Sequence, residues 1–249
     1  MKRLICLILL LALLGSAAQA EPLPDEQLMT YYSGALFIGD SVIRMLGNYI
    51  RPLQKKDPLF FPGVKFFAEY DYRLSTAAAE KLSGNKETVN LVYKGRNCTM
   101  YSLVETLQPP KIVLLLGCND SLNKRMEAGV ENVRIILETV PKYCEETQVI
   151  FLSLPPVTTA YEKRKAYRSV WESFDEQVAA LCAEYGAVFI DVTAGLVDED
   201  GFLVKGLSSD GEYHLNEKGN EIVVRNLLDY VQGLADAGLW APAPAEENE

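Results

Sequence analysis

The chain has one histidine, His214, in 249 residues, and none of its five cysteines forms a Cys-x-x-Cys pair. Zinc sites draw on clustered His and Cys, so neither a metal nor any other cofactor is expected. Positive charge is also scarce: 24 Lys and Arg stand against 34 Asp and Glu, a formal charge of −10. That balance argues against nucleic acid or an anionic membrane surface as a partner. A neutral or weakly charged small molecule or carbohydrate fits better. Long apolar runs are missing too. Beyond the N-terminus no stretch approaches the roughly 20 apolar residues that a membrane helix needs.

The N-terminus carries Lys2 and Arg3, an apolar block over residues 4–14, and then Ala18-Gln19-Ala20. This is the pattern of a secretory signal peptide with an Ala-x-Ala cleavage site. The mature chain would start at Glu21 and be secreted, periplasmic or held at the cell surface. Cys6 lies inside the apolar block, which argues against a lipoprotein. Cleavage leaves 229 residues, enough for one domain with a full core, and takes the formal charge from −10 to −12. It also leaves Cys98, Cys118, Cys144 and Cys182. Four cysteines allow three disulfide pairings that sequence does not rank, and buried free thiols are the favoured reading.

In chain order, residues 21–32 read as a leader, mobile at its start and ending in a helix or turn. An apolar strand over residues 35–38 stops at Gly39-Asp40-Ser41. Val42, Ile43, Met45, Leu46, Tyr49 and Ile50 then follow with helical spacing. Further strands are expected around Val64 to Phe67 and over residues 89–93, 112–116, 149–154 and 188–192. Helices are expected over 75–82, 100–107, 130–140, 169–185 and 217–234. Short apolar strands alternating with crossover-length helices predict an α/β domain, residues 33–236, with a mostly parallel sheet covered on both faces. Residues 237–249 read as a disordered acidic Pro/Ala tail. Tyr70 and Tyr72 could stack on a sugar, although half-buried strand packing explains them as well.

Ligands of such sheets bind beyond the carboxyl ends of the strands, where Ser41, Gly95 and Asn119 are expected to lie. Ser41 at a strand-to-helix junction reads either as a cap or as a nucleophile beside free backbone N–H groups. His214 suits the base that such a serine needs. The backbone N–H groups of Ser41 and Gly95 and the amide of Asn119 are candidate donors to an oxyanion. Asp40 and Asp120 are expected to brace their own turns. Cys118, near His214, is a weaker candidate for the nucleophile.

Gly39-Asp40-Ser41, a later Gly after a strand, Gly117-Cys118-Asn119-Asp120 and a late Asp…His pair together resemble the blocks of the SGNH (GDSL-type) hydrolases. The resemblance covers most of the mature chain, and no Gly-x-Ser-x-Gly elbow is present. It implies a flavodoxin-like three-layer α/β/α sandwich. Carried over residue by residue, it makes Ser41 the nucleophile, Gly95 and Asn119 oxyanion donors, and His214 the base. The family's acid precedes its histidine by three residues, a position held here by Gly211. Asp210, one residue further back, is the favoured acid, a backbone carbonyl serving a Ser-His dyad is the alternative, and Glu212 is the outsider. The resulting expectation is a secreted serine esterase removing a short acyl group, most plausibly acetyl, from a carbohydrate or small ester. An O-acetyltransferase and an inactive carbohydrate-binding relative are the other readings.

Overall fold

The computed structural model describes residues 21–243, so the expected signal peptide, residues 1–20, and the last six residues of the expected tail lie outside it. Five strands form the main sheet: β1 (Leu36–Gly39), β2 (Lys65–Ala68), β5 (Lys111–Leu115), β6 (Gln148–Leu152) and β7 (Val188–Ile190). All run parallel, in the order β2-β1-β5-β6-β7. Between β2 and β5 the chain forms a separate antiparallel hairpin, β3 (Leu91–Tyr93) and β4 (Arg96–Cys98). The expected strand at 89–93 therefore exists but does not join the parallel sheet.

The helices are α1 (Asp25–Met29), α2 (Ser41–Lys56), α3 (Leu74–Ala77), α4 (Met100–Leu107), α5 (Leu122–Tyr143), α6 (Thr159–Lys165), α7 (Arg168–Tyr185) and α8 (Glu217–Asp236). One helical layer holds α2 packed on α8, with α1 against α8. The other holds α5 packed on α7, with α3 and α4 against α5. The result is a three-layer α/β sandwich.

The sheet forms because its strands are apolar on both faces. Phe37, Ile38, Val113, Leu114, Ile150 and Phe151 are all buried. Each such side chain contributes about 1.5–3 kcal/mol on leaving water. Gly39 ends β1 where a Cβ would collide with the Leu115 carbonyl and the Ile43 side chain. That close approach lets α2 start directly over the strand end.

Three segments differ from the sequence expectation. The start of the leader, expected to be mobile, is tied down: the Leu23 N–H donates to Gln232 Oε1 at 2.8 Å. The helix or turn expected at its end forms over residues 25–32 and buries Leu28, Met29, Tyr31 and Tyr32. The fold also extends past residue 236, since the Trp240 ring packs edge-on against Tyr31 at 5.7 Å. The alanine-rich stretch is helical only over Leu74–Ala77. Glu80, Lys81 and Leu82 face solvent or lie near it, and a short helix without a face to bury is marginal.

Cys98, Cys118, Cys144 and Cys182 are all free thiols. No helix among the described residues is long and apolar enough to cross a membrane.

Candidate active site

Sheet order places the site. The two halves of the chain diverge between β1 and β5, and the crevice at such a reversal is where α/β sheets bind ligands. Gly39 pairs with Leu115 across that reversal. Ser41 follows the first by two residues and Asn119 follows the second by four, so both overhang the crevice.

Asp40 caps α2, its Oδ1 accepting from the Val42 N–H at 2.9 Å. Its carboxyl is fully buried, and burial, reinforced by the nearby Asp120 charge, pushes its pKa up to about 7. The cap fixes Ser41 as the first helical residue. The Ser41 N–H has no acceptor among the described residues, so it is free to bind an oxyanion.

Ser41 Oγ lies 2.8 Å from His214 Nε2, and His214 Nδ1 lies 2.5 Å from Asp210 Oδ2. The loop manages this across the extra residue through a set of local bonds. Ser208 Oγ donates to Asp210 Oδ1 at 3.0 Å and accepts from the Gly211 N–H at 2.8 Å. The Glu212 N–H donates to Asp210 Oδ1 at 2.7 Å. Gly211 adopts φ +79°, a conformation that favours glycine. Partial burial works against charge on Asp210, but hydrogen bonds from His214, Glu212 and Ser208 outweigh it and lower its pKa. Glu212 instead pairs with Arg164 at 2.6 Å, away from the imidazole.

Asn119 Nδ2 reaches Asp40 Oδ2 at 3.3 Å and the Tyr72 carbonyl at 3.4 Å. Both contacts are long, so the amide is held in place yet available to a better acceptor. Asp120 braces another segment rather than its own turn: its Oδ2 accepts from the Leu74 N–H at 3.0 Å. Cys118 is half-buried, but its thiol is enclosed. Burial first, and the Asp40, Asp175 and Asp120 carboxyls after it, push its pKa well up, which keeps it a protonated thiol.

Gly95 departs from its expected place. Lys94 and Gly95 form the two-residue turn of the β3–β4 hairpin, at φ +49° and +75°. The glycine is exposed, and a Cβ built on it would meet nothing within 4 Å. Its hairpin is a separate two-stranded sheet rather than part of the parallel one. The neighbouring edge position on β2 is taken by residues 69–73, whose Tyr72 carbonyl meets Asn119. Tyr72 itself is buried, leaving Tyr70, 56% exposed, as the ring open to a ligand.

Residues 37–222 match the family model described as GDSL-like Lipase/Acylhydrolase family. The chain belongs to this family. Two curated relatives in it are plant GDSL esterase/lipases. One, from Arabidopsis thaliana, is 26% identical over 153 residues, which is 55% of this chain and 47% of that protein. The other, from Oryza sativa, is 26% identical over 163 residues, 57% of this chain and 62% of that protein. The match thus spans about half to three-fifths of these relatives. Among solved structures, a GDSL-like lipase from Bacteroides thetaiotaomicron superposes with a TM-score of 0.57 at 14% identity, covering 87% of this chain and 93% of that one. A variant of an acetylxylan esterase from Geobacillus stearothermophilus gives 0.53 at 15% identity, covering 79% and 93%. These structures share the fold.

Within this GDSL-type domain, sequence reasoning missed the supports of the histidine loop. Thr158 holds it from the β6 side: its N–H donates to the Glu212 carbonyl at 2.8 Å and its Oγ1 to the Gly211 carbonyl at 2.7 Å. Tyr213 places its ring 4.4 Å from the His214 ring. Ser208 was legible as part of a Ser-Ser-Asp-Gly turn. Thr158, about fifty residues away in sequence, carried no such signal.

Proposed function

We propose that the chain is an exported serine esterase that removes a short acyl group, most plausibly acetyl, from a carbohydrate or small ester through an acyl-serine intermediate. The observation that carries this reading is the run Ser41 Oγ, His214 Nε2, His214 Nδ1, Asp210 Oδ2, with steps of 2.8 and 2.5 Å. Ser41 Oγ attacks the ester carbonyl carbon while His214 Nε2 takes its proton. The carbonyl oxygen becomes an oxyanion facing the Ser41 N–H and the Asn119 amide. When the intermediate collapses, His214 returns the proton to the leaving alcohol. Water, activated by the same imidazole, then releases the acid. Asp210 fixes the tautomer that leaves Nε2 free to accept, and it stabilises the imidazolium.

The preference for a short acyl group rests on the signal-like N-terminus and on the lack of an apolar stretch suited to lipid. Acetylxylan esterase being among the fold's neighbours is in keeping with it. The motive for an inactive binding protein was a displaced acid, and Asp210 within hydrogen-bond reach of His214 weakens that motive. The test is to treat purified protein with a fluorophosphonate probe and a chromogenic ester series from acetyl to octanoyl. The proposal expects labelling at Ser41 and kcat/KM that falls with chain length. No turnover and no labelling would end it, and activity that rises beyond acetyl would replace it with a lipase reading.

A further inference from the structure

The outer edge of β2 holds a positive pocket in a strongly acidic chain. Arg44 and Arg51 lie seven residues apart on α2, hence on one face. With Asn48, Ala68, Glu69 and Val92 they line a pocket of about 230 Å³. Part of each guanidinium covers the edge strand. Arg44 Nη1 donates to the Ala68 carbonyl at 3.4 Å and to Glu69 Oε2 at 3.2 Å. Arg51 Nη2 donates to the Phe66 carbonyl at 3.2 Å, and its Nη1 lies at the 3.5 Å limit from Asn48 Oδ1. Neither Nε, nor Arg44 Nη2, has an acceptor among the described residues.

Two guanidiniums face one carboxylate here, so the pocket carries a net positive charge within a chain of −10. Burial, and then repulsion from Arg44, lower the Arg51 pKa, which shows the two cations near enough to act on each other. Arginine pairs uncommitted at Nε and Nη suit oxyanions, since the planar fork matches carboxylate, sulfate and phosphate groups.

The pocket is built on the same elements as the site. Arg44 is three residues past Ser41 on the same helix, and Glu69 opens the loop whose Tyr72 carbonyl meets Asn119. The exposed Tyr70 ring packs against the Arg44 guanidinium at 4.8 Å.

We propose that this pocket binds an oxyanion group, carboxylate or sulfate, carried by the ester substrate, so that the enzyme favours acylated acidic molecules over neutral ones. The inference rests on the esterase reading for its catalytic half only. It also runs against what the overall charge suggests, because a chain of −10 should repel an anionic substrate.

The experiment compares kcat/KM for 4-acetoxybenzoate and 4-acetoxybenzenesulfonate with that for the neutral methyl 4-acetoxybenzoate, and titrates the protein with glucuronate and with inorganic sulfate by calorimetry. Charge-assisted contacts predict an anionic-to-neutral ratio of about ten or more. The larger ratio of the two anionic esters identifies the preferred group. The ratio should fall at least about fivefold in Arg44→Gln and Arg51→Gln and shrink as salt is added. It should rise in Glu69→Gln, which frees Arg44, and that opposite sign separates binding from general damage to β2. A ratio at or below one, or one indifferent to all three substitutions, overturns the proposal even where the free anions bind. If no ester is turned over but glucuronate or sulfate binds in an arginine-dependent way, the esterase reading fails and the pocket stands. If neither turnover nor binding is seen, both fall.

Discussion

Ser41 stands at the end of a fully buried strand on the first residue of a sixteen-residue helix, whereas His214 stands in a loop between β7 and α8. The serine side is positioned by the sheet and by one helix cap. The histidine side is positioned by short side-chain bonds from Ser208, Thr158 and Asp210 itself. The two acids show the same contrast. Asp40 is enclosed by the core and its pKa rises to about 7, while Asp210 is half-exposed and donors lower its pKa. One side of the site is rigid because it is part of the fold, and the other only because its local bonds agree.

The largest test of this contrast is Ser41→Ala, expected to cut kcat by about 10⁴-fold or more while leaving the melting temperature near that of the parent. Asn119→Ala, also on the serine side, should cost about 10²–10³-fold in kcat with little change in KM if its amide acts on the developing oxyanion as proposed. On the histidine side, Asp210→Asn should lower kcat at least about tenfold. A smaller loss would mean that backbone groups orient the ring and that the site works as a dyad.

The smallest effect is on stability against pH, and it has opposite signs on the two sides. Asp40 has a raised folded value, so its contribution is full below about pH 4 and is lost as pH rises through about 7. Asp210 has a lowered value, so its contribution is present above about pH 4 and is lost as pH falls below that. Asp40→Asn keeps a good capping residue and should flatten the loss of melting temperature between pH 4 and 8. Asp210→Asn should alter only the acid limb. Thermal melts across pH decide both.

The serine edge was legible because an apolar run ending at Gly39-Asp40-Ser41 has few alternative folds, and because only one histidine was available to serve it. Asn119 was legible for a similar reason, sitting just past the strongest strand signal in the chain. Gly95 was misplaced because residues 89–93 look like any other apolar strand. The Lys94-Gly95 pair lacks the Asn-Gly or Asp-Gly signature that marks a tight hairpin. The arginine pocket was hidden by net charge, which averages over a surface where two cations sit together.

By itself, the sequence determined the alternation of strands and helices, the strand end that carries Ser41, the proposed nucleophile, and the residue types available for its chemistry. Those follow from periodicity and from scarcity, both local or countable. Tertiary structure decided whether Asp210 reaches His214, that the Tyr72 carbonyl meets Asn119, that Gly95 turns a hairpin separate from the parallel sheet, and that Arg44 and Arg51 share one pocket with Glu69. Each of these depends on how distant segments meet at one edge of a sheet, and spacing along the chain does not encode that.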